Sequence, residues 1–398
     1  MHGVEGFIYP NEVELQWSIL IVLYPFLTGL VAGAFILASL ERVFNVEAVK
    51  PTYRLALLTA LAFMLVAPLP LQLHLTHPER AFEMFLTPHR TSAMAMFGFV
   101  YLWYLMVVLV VEIWLEYRKE IVIAWQRASG IRRLAWGALA LGSRNISDEA
   151  LRVDDRVGRI VTIVGIPSAF LLHGYVGFIF GSVKANPWWS TPMMPIVFLF
   201  SAIVSGVALV MLMYLAMTWY RGVAVDMRCL DTIARYLFYA FLIDFSLEMI
   251  DLLHRIYEAD ESFKSLDFMV HTRLFLSQIV VQIILGTVVP IAMLAVVQVI
   301  AVSERTRRTL YVVAGVLTLV GIFAMRWNVV IGGQLFSKSF LGYTTYKVQF
   351  ATREGLVVAM ALLIAPFVLL AGLVRLLSPW QVVTPPPSDP PARISAPA

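Results

Sequence analysis

The chain of 398 residues is 60% hydrophobic and 14% charged, with a formal net charge of +4. A soluble domain is about half apolar and roughly a quarter charged, so this composition excludes a water-soluble enzyme and describes a polytopic membrane protein. The single cysteine, Cys229, excludes an internal disulfide or an iron–sulfur cluster held by this chain, since either needs more thiolates.

Residues 1–17 form an acidic N-terminal segment without a basic n-region or a small-residue cleavage site, so no cleaved signal is expected. Apolar runs of about 20 residues then mark membrane spans. They lie near Ser18–Leu40, Leu55–Leu75, Ser92–Leu115, Ile160–Val183, Met193–Trp219, Thr232–Tyr257, Leu274–Val302, Thr309–Val329 and Gly355–Leu377. The fold class this predicts is an all-α integral membrane protein of about nine spans. Residues 18–183 are expected to form a first bundle, 184–377 a second, and the Pro-rich tail 378–398 a disordered segment. Ile131–Leu141 reads as an amphipathic helix lying on the membrane surface.

The loop after the third span holds Arg118, Lys119, Arg127, Arg132, Arg133, Arg144, Arg152, Arg156 and Arg159. The same side adds Arg42, Lys50, Arg54, Arg221, Arg228, Arg305, Arg307 and Arg308. Basic loops stay in the cytoplasm, which puts the N-terminus on the periplasmic side of a bacterial inner membrane. The basic loop is thereby explained by topology, and nucleic-acid binding has no support.

The stretch from Ile160 to Pro192 carries His173 and Tyr175 among Gly174, Gly177 and Gly181, and ends in a Pro-Trp-Trp turn containing Trp188. Polar aromatics at membrane depth are costly unless they bind something or each other. Tyr24 precedes the kinking Pro25 in the first span, at a similar depth. His74 and His77 stand at the end of the second span, followed by Glu79 and Arg80. Tyr24, His74, His173 and Tyr175 all fall in the outer half, and together they suit a quinone pocket: an apolar slot with one or two hydrogen-bond partners. Haem ligation by His74 and His173 and plain helix packing are the competing readings, and no metal site is expected.

In the sixth span Asp244, Glu248, Asp251 and Arg255 step by four, three and four along one helical face, over roughly 16 Å. Ionisable groups inside a membrane usually mark a proton path, an ion path or a substrate site. Pairing with Arg326 of the eighth span as a static ion network is the alternative. Gln278 and Gln282 either extend this polar line or bond between helices.

Three stretches carry a resemblance to the NrfD/PsrC family, the membrane subunits of polysulfide-reductase-type respiratory complexes. They are YPFLTGLVAGAFILASL, LTHPERAFEMFLTPHRTSAMAMFG and HGYVGFIFGSVKANPWWSTPMMPIVFLFSAIVSG. The resemblance implies a bundle of eight to ten spans that binds menaquinone or ubiquinone near the outer surface. It also implies a four-cluster ferredoxin-like iron–sulfur partner and a molybdopterin catalytic subunit. Tyr175 matches the tyrosine that hydrogen-bonds the quinone. Tyr24 stands where the structurally known branch has a histidine, and Ile21 where it has an asparagine. His77 replaces the arginine of a Gly-Arg-Pro-Glu-Arg motif that keeps Arg80, and these two with Trp188 are expected at the site entrance and the partner-docking face. On this reading Asp244, Glu248, Asp251 and Arg326 carry protons. A cation-coupled secondary transporter and a pure membrane anchor are the alternative functions.

The charge asymmetry generates a test of orientation. Single cysteines placed in the loop 77–90 should react with an impermeant maleimide added outside, and those in the loop 116–159 should not. The reverse labelling pattern would invert the topology.

Overall fold

The computed structural model describes residues 5–258 and 263–380. Most of the tail expected to be disordered, from residue 381 on, lies outside the described residues. In chain order the helices are α1 (Ile19–Arg42), α2 (Glu47–His74), α3 (Ala95–Arg127), the short α4 (Gly130–Leu139), α5 (Asp148–Gly181), α6 (Met194–Arg221) and α7 (Met227–Glu258). They continue with the short α8 (Phe263–Thr272), then α9 (Phe275–Val299), α10 (Glu304–Val330) and α11 (Leu356–Leu376). Among the described residues, eight are long and apolar enough to cross a membrane. The remaining long helix, α7, has 32 residues, and its ionisable row dilutes its apolar content. It starts beside the end of α6 and finishes where Asp251 and Arg255 meet the 187–191 turn, next to the start of α6. It therefore makes the same traverse as its neighbours.

Local sequence sets the helix ends. Ser18, Ser147 and Ser303 cap α1, α5 and α10 by accepting from backbone N–H groups of the first turn. Gly222, at φ +63°, closes α6 in the left-handed conformation that spares a Cβ penalty. Two helices carry wide π-type turns, Trp103–Val110 in α3 and Phe275–Val288 in α9. Such turns re-aim side chains and recur at functional sites.

Helix α1 is apolar on all sides and almost entirely buried, so it forms the axis of the molecule. Around it α2, α3 and α5 make one group, and α6, α7, α9 and α10 a second. The groups meet along α1 and α6, where a Cβ on Gly33 would stand 2.8 Å from the Gly206 Cα. Only two glycines allow backbones to approach that closely. The last span, α11, lies against α2 and so sides with the first group.

The Pro-Trp-Trp turn closes the end of α10. A helix leaves its last four carbonyls without intrahelical donors. Here Ile331 N–H reaches Trp327 O, Trp188 Nε1 reaches Asn328 O at 2.9 Å, Trp189 Nε1 reaches Val329 O at 2.6 Å, and Gln334 Nε2 reaches Val330 O at 2.8 Å. All four are satisfied, two of them by indoles from a different segment. Trp189 also stacks on Trp17 with centroids 5.1 Å apart, fixing the chain just before α1. On this same face a two-residue strand, β1 (Glu5–Gly6), pairs antiparallel with β2 (Gly342–Tyr343).

At the opposite, arginine-rich face, α4 presents Ile131 and Leu134 to the outside beside Arg132 and Arg133. That is the arrangement of an interfacial helix, with apolar side chains for the acyl boundary and cations for headgroups.

Candidate functional site

The site is built around α1 from both bundles. On the first-bundle side, Phe97 of α3 packs edge-on against Tyr24 at 5.5 Å and stacks on Tyr175 at 5.7 Å. Tyr24, Phe97 and Tyr175 thus form one aromatic wall contributed by three helices. The Tyr175 hydroxyl donates to the Ala93 carbonyl. The Tyr24 hydroxyl is buried and has no partner, and the same is true of Tyr101 one turn beyond Phe97. An unpartnered buried hydroxyl costs about 1–3 kcal/mol, so a ligand or water that accepts from it is favoured.

His173 lies on α5 half a turn from Tyr175, and the structure turns it the other way, towards the second bundle. It is fully buried. Its Nε2 is 3.1 Å from Arg326 Nη2, and its Nδ1 is 3.4 Å from Thr28 Oγ1. Gly29 makes room: a Cβ there would stand 3.1 Å from the His173 ring. Arg326, with no exposed surface, also donates to Ser201 Oγ at 2.7 Å and lies 4.0 Å over the Phe198 ring. Arg Nη2–H can only donate, so His173 Nε2 accepts and the proton sits on Nδ1, facing Thr28. Thr28 in turn donates to the Tyr24 carbonyl at 3.1 Å.

Asp244 and Glu248 of α7 are within Coulombic reach of Arg326 and of each other. Asp244 is buried, and its Oδ1 is unpartnered, as is Arg326 Nε. Asp251 occupies a different environment: it accepts from Thr191 at 2.5 Å and pairs with Arg255 at 2.9 Å, and Arg255 also donates to Pro187 O. The row is therefore split, with two carboxyls around Arg326 and one fastening α7 to the Trp turn. Glu248 faces a cavity of about 400 Å³ between α7, α8, α9 and α10, whose lining is largely apolar and includes Trp188, Gln278 and Gln282. Gln282, on the π-wound part of α9, accepts from Asn328 at 2.8 Å and sits beside Glu248.

The remaining candidates lie apart from this core. His74 Nδ1 is 2.9 Å from Glu354 at the head of α11. His173 thus has both ring nitrogens engaged, whereas His74 meets Glu354 through Nδ1 alone. His77 meets Glu79 at 3.0 Å and Arg80 meets Glu83 at 2.9 Å, both on an exposed loop with the apolar side chains Phe82 and Leu86. The Arg80 guanidinium holds the Glu83 carboxyl below its ordinary range.

The chain matches the family described as "Polysulphide reductase, NrfD" over residues 10–338, the whole of both bundles apart from α11. It belongs to the NrfD family. Its curated relatives include a subunit of the selenate reductase of Mesobacillus selenatarsenatis, 33% identical over 204 residues, covering 50% of this chain and 48% of that one. "Protein NrfD" of Escherichia coli is 29% identical over 202 residues, covering 50% of this chain and 59% of that one. The chain spans about half the length of these relatives.

Sequence reasoning on this NrfD-family chain did not find Phe97, Thr28 or Ser201 among the site residues. Phe97 and Ser201 look like ordinary span residues, and only the packing of α3 and α6 on α1 aims them inward. Thr28 had a signal: a hydroxyl one turn after Tyr24 lies on the same helical face.

The Arg326 cluster generates a stability test. Arg326→Leu leaves His173, Ser201 and two carboxyls without their shared cation and should cost about 3–5 kcal/mol. Ser201→Ala, which removes one acceptor of several, should cost about 1 kcal/mol. Thermal unfolding in detergent measures both, and equal melting temperatures for Arg326→Leu and the native chain would show that the cation carries no structural load.

Proposed function

We propose that the chain is the quinone-exchanging membrane subunit of a respiratory oxidoreductase, passing electrons between a membrane quinone and an iron–sulfur subunit docked on the Trp188 face. The observation that carries this reading is the Tyr24 hydroxyl, buried, unpartnered and set in an aromatic wall with Phe97 and Tyr175. A quinone ring needs flat apolar walls and a donor at a carbonyl oxygen, and these residues supply both. Tyr24 donates to the carbonyl. Tyr175, held by Ala93, sets the position of Phe97. When bound, the quinone supplies two-electron chemistry coupled to proton uptake or release.

Protons on this reading run along side chains of the chain itself. The His173 Nδ1 proton faces Thr28, one turn from Tyr24, while Arg326 joins His173 to Asp244 and Glu248. Glu248 opens on the cavity that leads toward the Trp188 face. His77 and Arg80, with exposed Phe82 and Leu86 beside them, form the docking surface for the iron–sulfur subunit, and a molybdopterin subunit beyond it would complete the complex. Menaquinone and ubiquinone both fit these requirements. The family membership and the relatives named as subunits of reductases support a membrane subunit of this kind. The charge asymmetry supports an orientation with the basic face inward, in a cell inner membrane on this reading.

Reconstituted complex in proteoliposomes tests the reading. Tyr24→Phe should lower quinol-linked turnover by about tenfold or more, because it removes one hydrogen bond to a carbonyl that gains charge. Glu248→Gln should retain quinone and slow turnover or uncouple it from proton movement, read with a pH-sensitive dye. Native kinetics in Tyr24→Phe would remove the quinone assignment, and native kinetics with native proton movement in Glu248→Gln would make the carboxyls structural.

A further inference from the structure

The arginine-rich end of the first bundle holds a further intramembrane carboxyl, one that the quinone reading does not use. Glu112 of α3 is 1% exposed. Its Oε1 accepts from Tyr53 at 3.1 Å and from Thr162 at 2.7 Å, and its Oε2 has no partner. Arg42 stands close by, but it and the neighbouring Arg54 are committed elsewhere. Arg42 pairs with Glu116 at 2.9 Å and with Asp155 at 3.4 Å, while Arg54 pairs with Glu116 at 2.7 Å and with Glu120 at 3.0 Å. The groups facing Glu112 are thus Arg42 from α1, Tyr53 from α2, Tyr104 and Glu116 from α3, and Thr162 from α5.

Unpartnered buried polar atoms continue on both sides of it. Arg42 Nε lies toward the face, and the hydroxyls of Tyr104, Tyr101 and Tyr24 lie inward. Tyr101 and Tyr104 are three residues apart, on one side of α3 where it enters the π turn. Outward of Glu112 a cavity of about 190 Å³ is lined mainly by charged side chains, among them Arg42, Arg54, Glu116, Glu120 and Asp154, together with Leu115 and Leu151. Orphans of this kind are rare in native proteins, and a buried polar atom without a protein partner is a place where water can bind.

We propose that Glu112 is the proton-exchanging carboxyl of a hydrated path joining the arginine-rich face to the Tyr24–Tyr101 site. A purely structural acceptor would leave neither oxygen free, and glutamine would serve it without the cost of an unpaired charge. One proton enters from the vestibule onto Oε2 and one leaves toward the Tyr104 and Tyr101 hydroxyls, so no electron is moved and no other reactant is needed. The inner end of the path, as a quinone site, rests on the proposed function; the exchange at Glu112 does not. With the His173–Arg326–Glu248 line, it gives that site one proton route to each face.

Infrared spectroscopy of the full chain in nanodiscs, with neither quinone nor partner subunits, tests the inference independently of the quinone reading. The expected result is a carboxylic C=O band that titrates with pH, shifts on transfer to D2O within the mixing time, and is absent in Glu112→Gln. Should that variant fail to assemble, Glu112→Asp must displace the same band. Tyr104→Phe keeps the packed ring and should leave the band in place. Proton delivery through it to the inner site, read as D2O exchange of the Tyr101 hydroxyl, should slow by about tenfold or more, since one hydrogen-bonding relay group is lost. A titration with no band belonging to Glu112, a Glu112 band that stays unshifted in D2O, or unchanged exchange in Tyr104→Phe would each overturn the path.

Discussion

Arg326 is a guanidinium with no exposed surface in the middle of a membrane protein, and the way its charge is accommodated organises the rest. Isolated in hydrocarbon it would be prohibitive. It is tolerable because His173 and Ser201 accept from it, Phe198 offers its ring face, and Asp244 and Glu248 supply opposite charge. Those partners come from α5, α6 and α7, while α10 brings Arg326 itself. Four helices from two bundles are therefore held in register by one side chain, and α1 packs between them with Gly29 yielding space to His173.

The same demand for internal satisfaction explains the Trp turn. A helix end inside or at the edge of a bilayer has little water to spend on its last carbonyls. Trp188 and Trp189 serve as the missing donors for α10, and Asp251 with Arg255 then ties α7 to that turn. Trp188 thus acts as a strut that also lines the cavity next to Glu248. A single segment fixes the roof of the second bundle and one wall of the polar cleft.

Buried ionisable groups gather in two places, at the arginine-rich end and in the middle of the molecule. At the arginine-rich end the guanidinium groups of Arg42 and Arg54 converge on Glu116, leaving Glu112 one turn deeper without a bonded cation. In the middle, one arginine faces two carboxyls. In both places the ionisable groups are not paired off one to one. The proposed proton routes draw on that excess, because a saturated ion pair has no site left at which to exchange a proton.

Composition and period alone determined that this is a helical membrane protein with spans close to those observed, because the cost of exposing polar backbone to lipid forces long apolar helices. They also determined that Asp244, Glu248 and Asp251 share one helical face, and that Ile131–Leu141 forms a surface helix, observed as Gly130–Leu139. The family resemblance assigned Tyr175 and Tyr24 to one expected pocket, and in the structure Phe97 packs against both rings. What the sequence could not decide was which partner each polar group meets. His173 and Tyr175 are two residues apart, yet a helix rotates by about 200° over that step, so one faces Arg326 and the other Phe97. Asp251 and Glu248 look equivalent along α7, but only Asp251 meets Arg255 and Thr191. Glu112 drew no notice as the first acid of a helix end, because its isolation depends on Glu116 taking both arginines. Helix periodicity orders residues along one element; the pairing of charges between elements is settled only by how those elements pack.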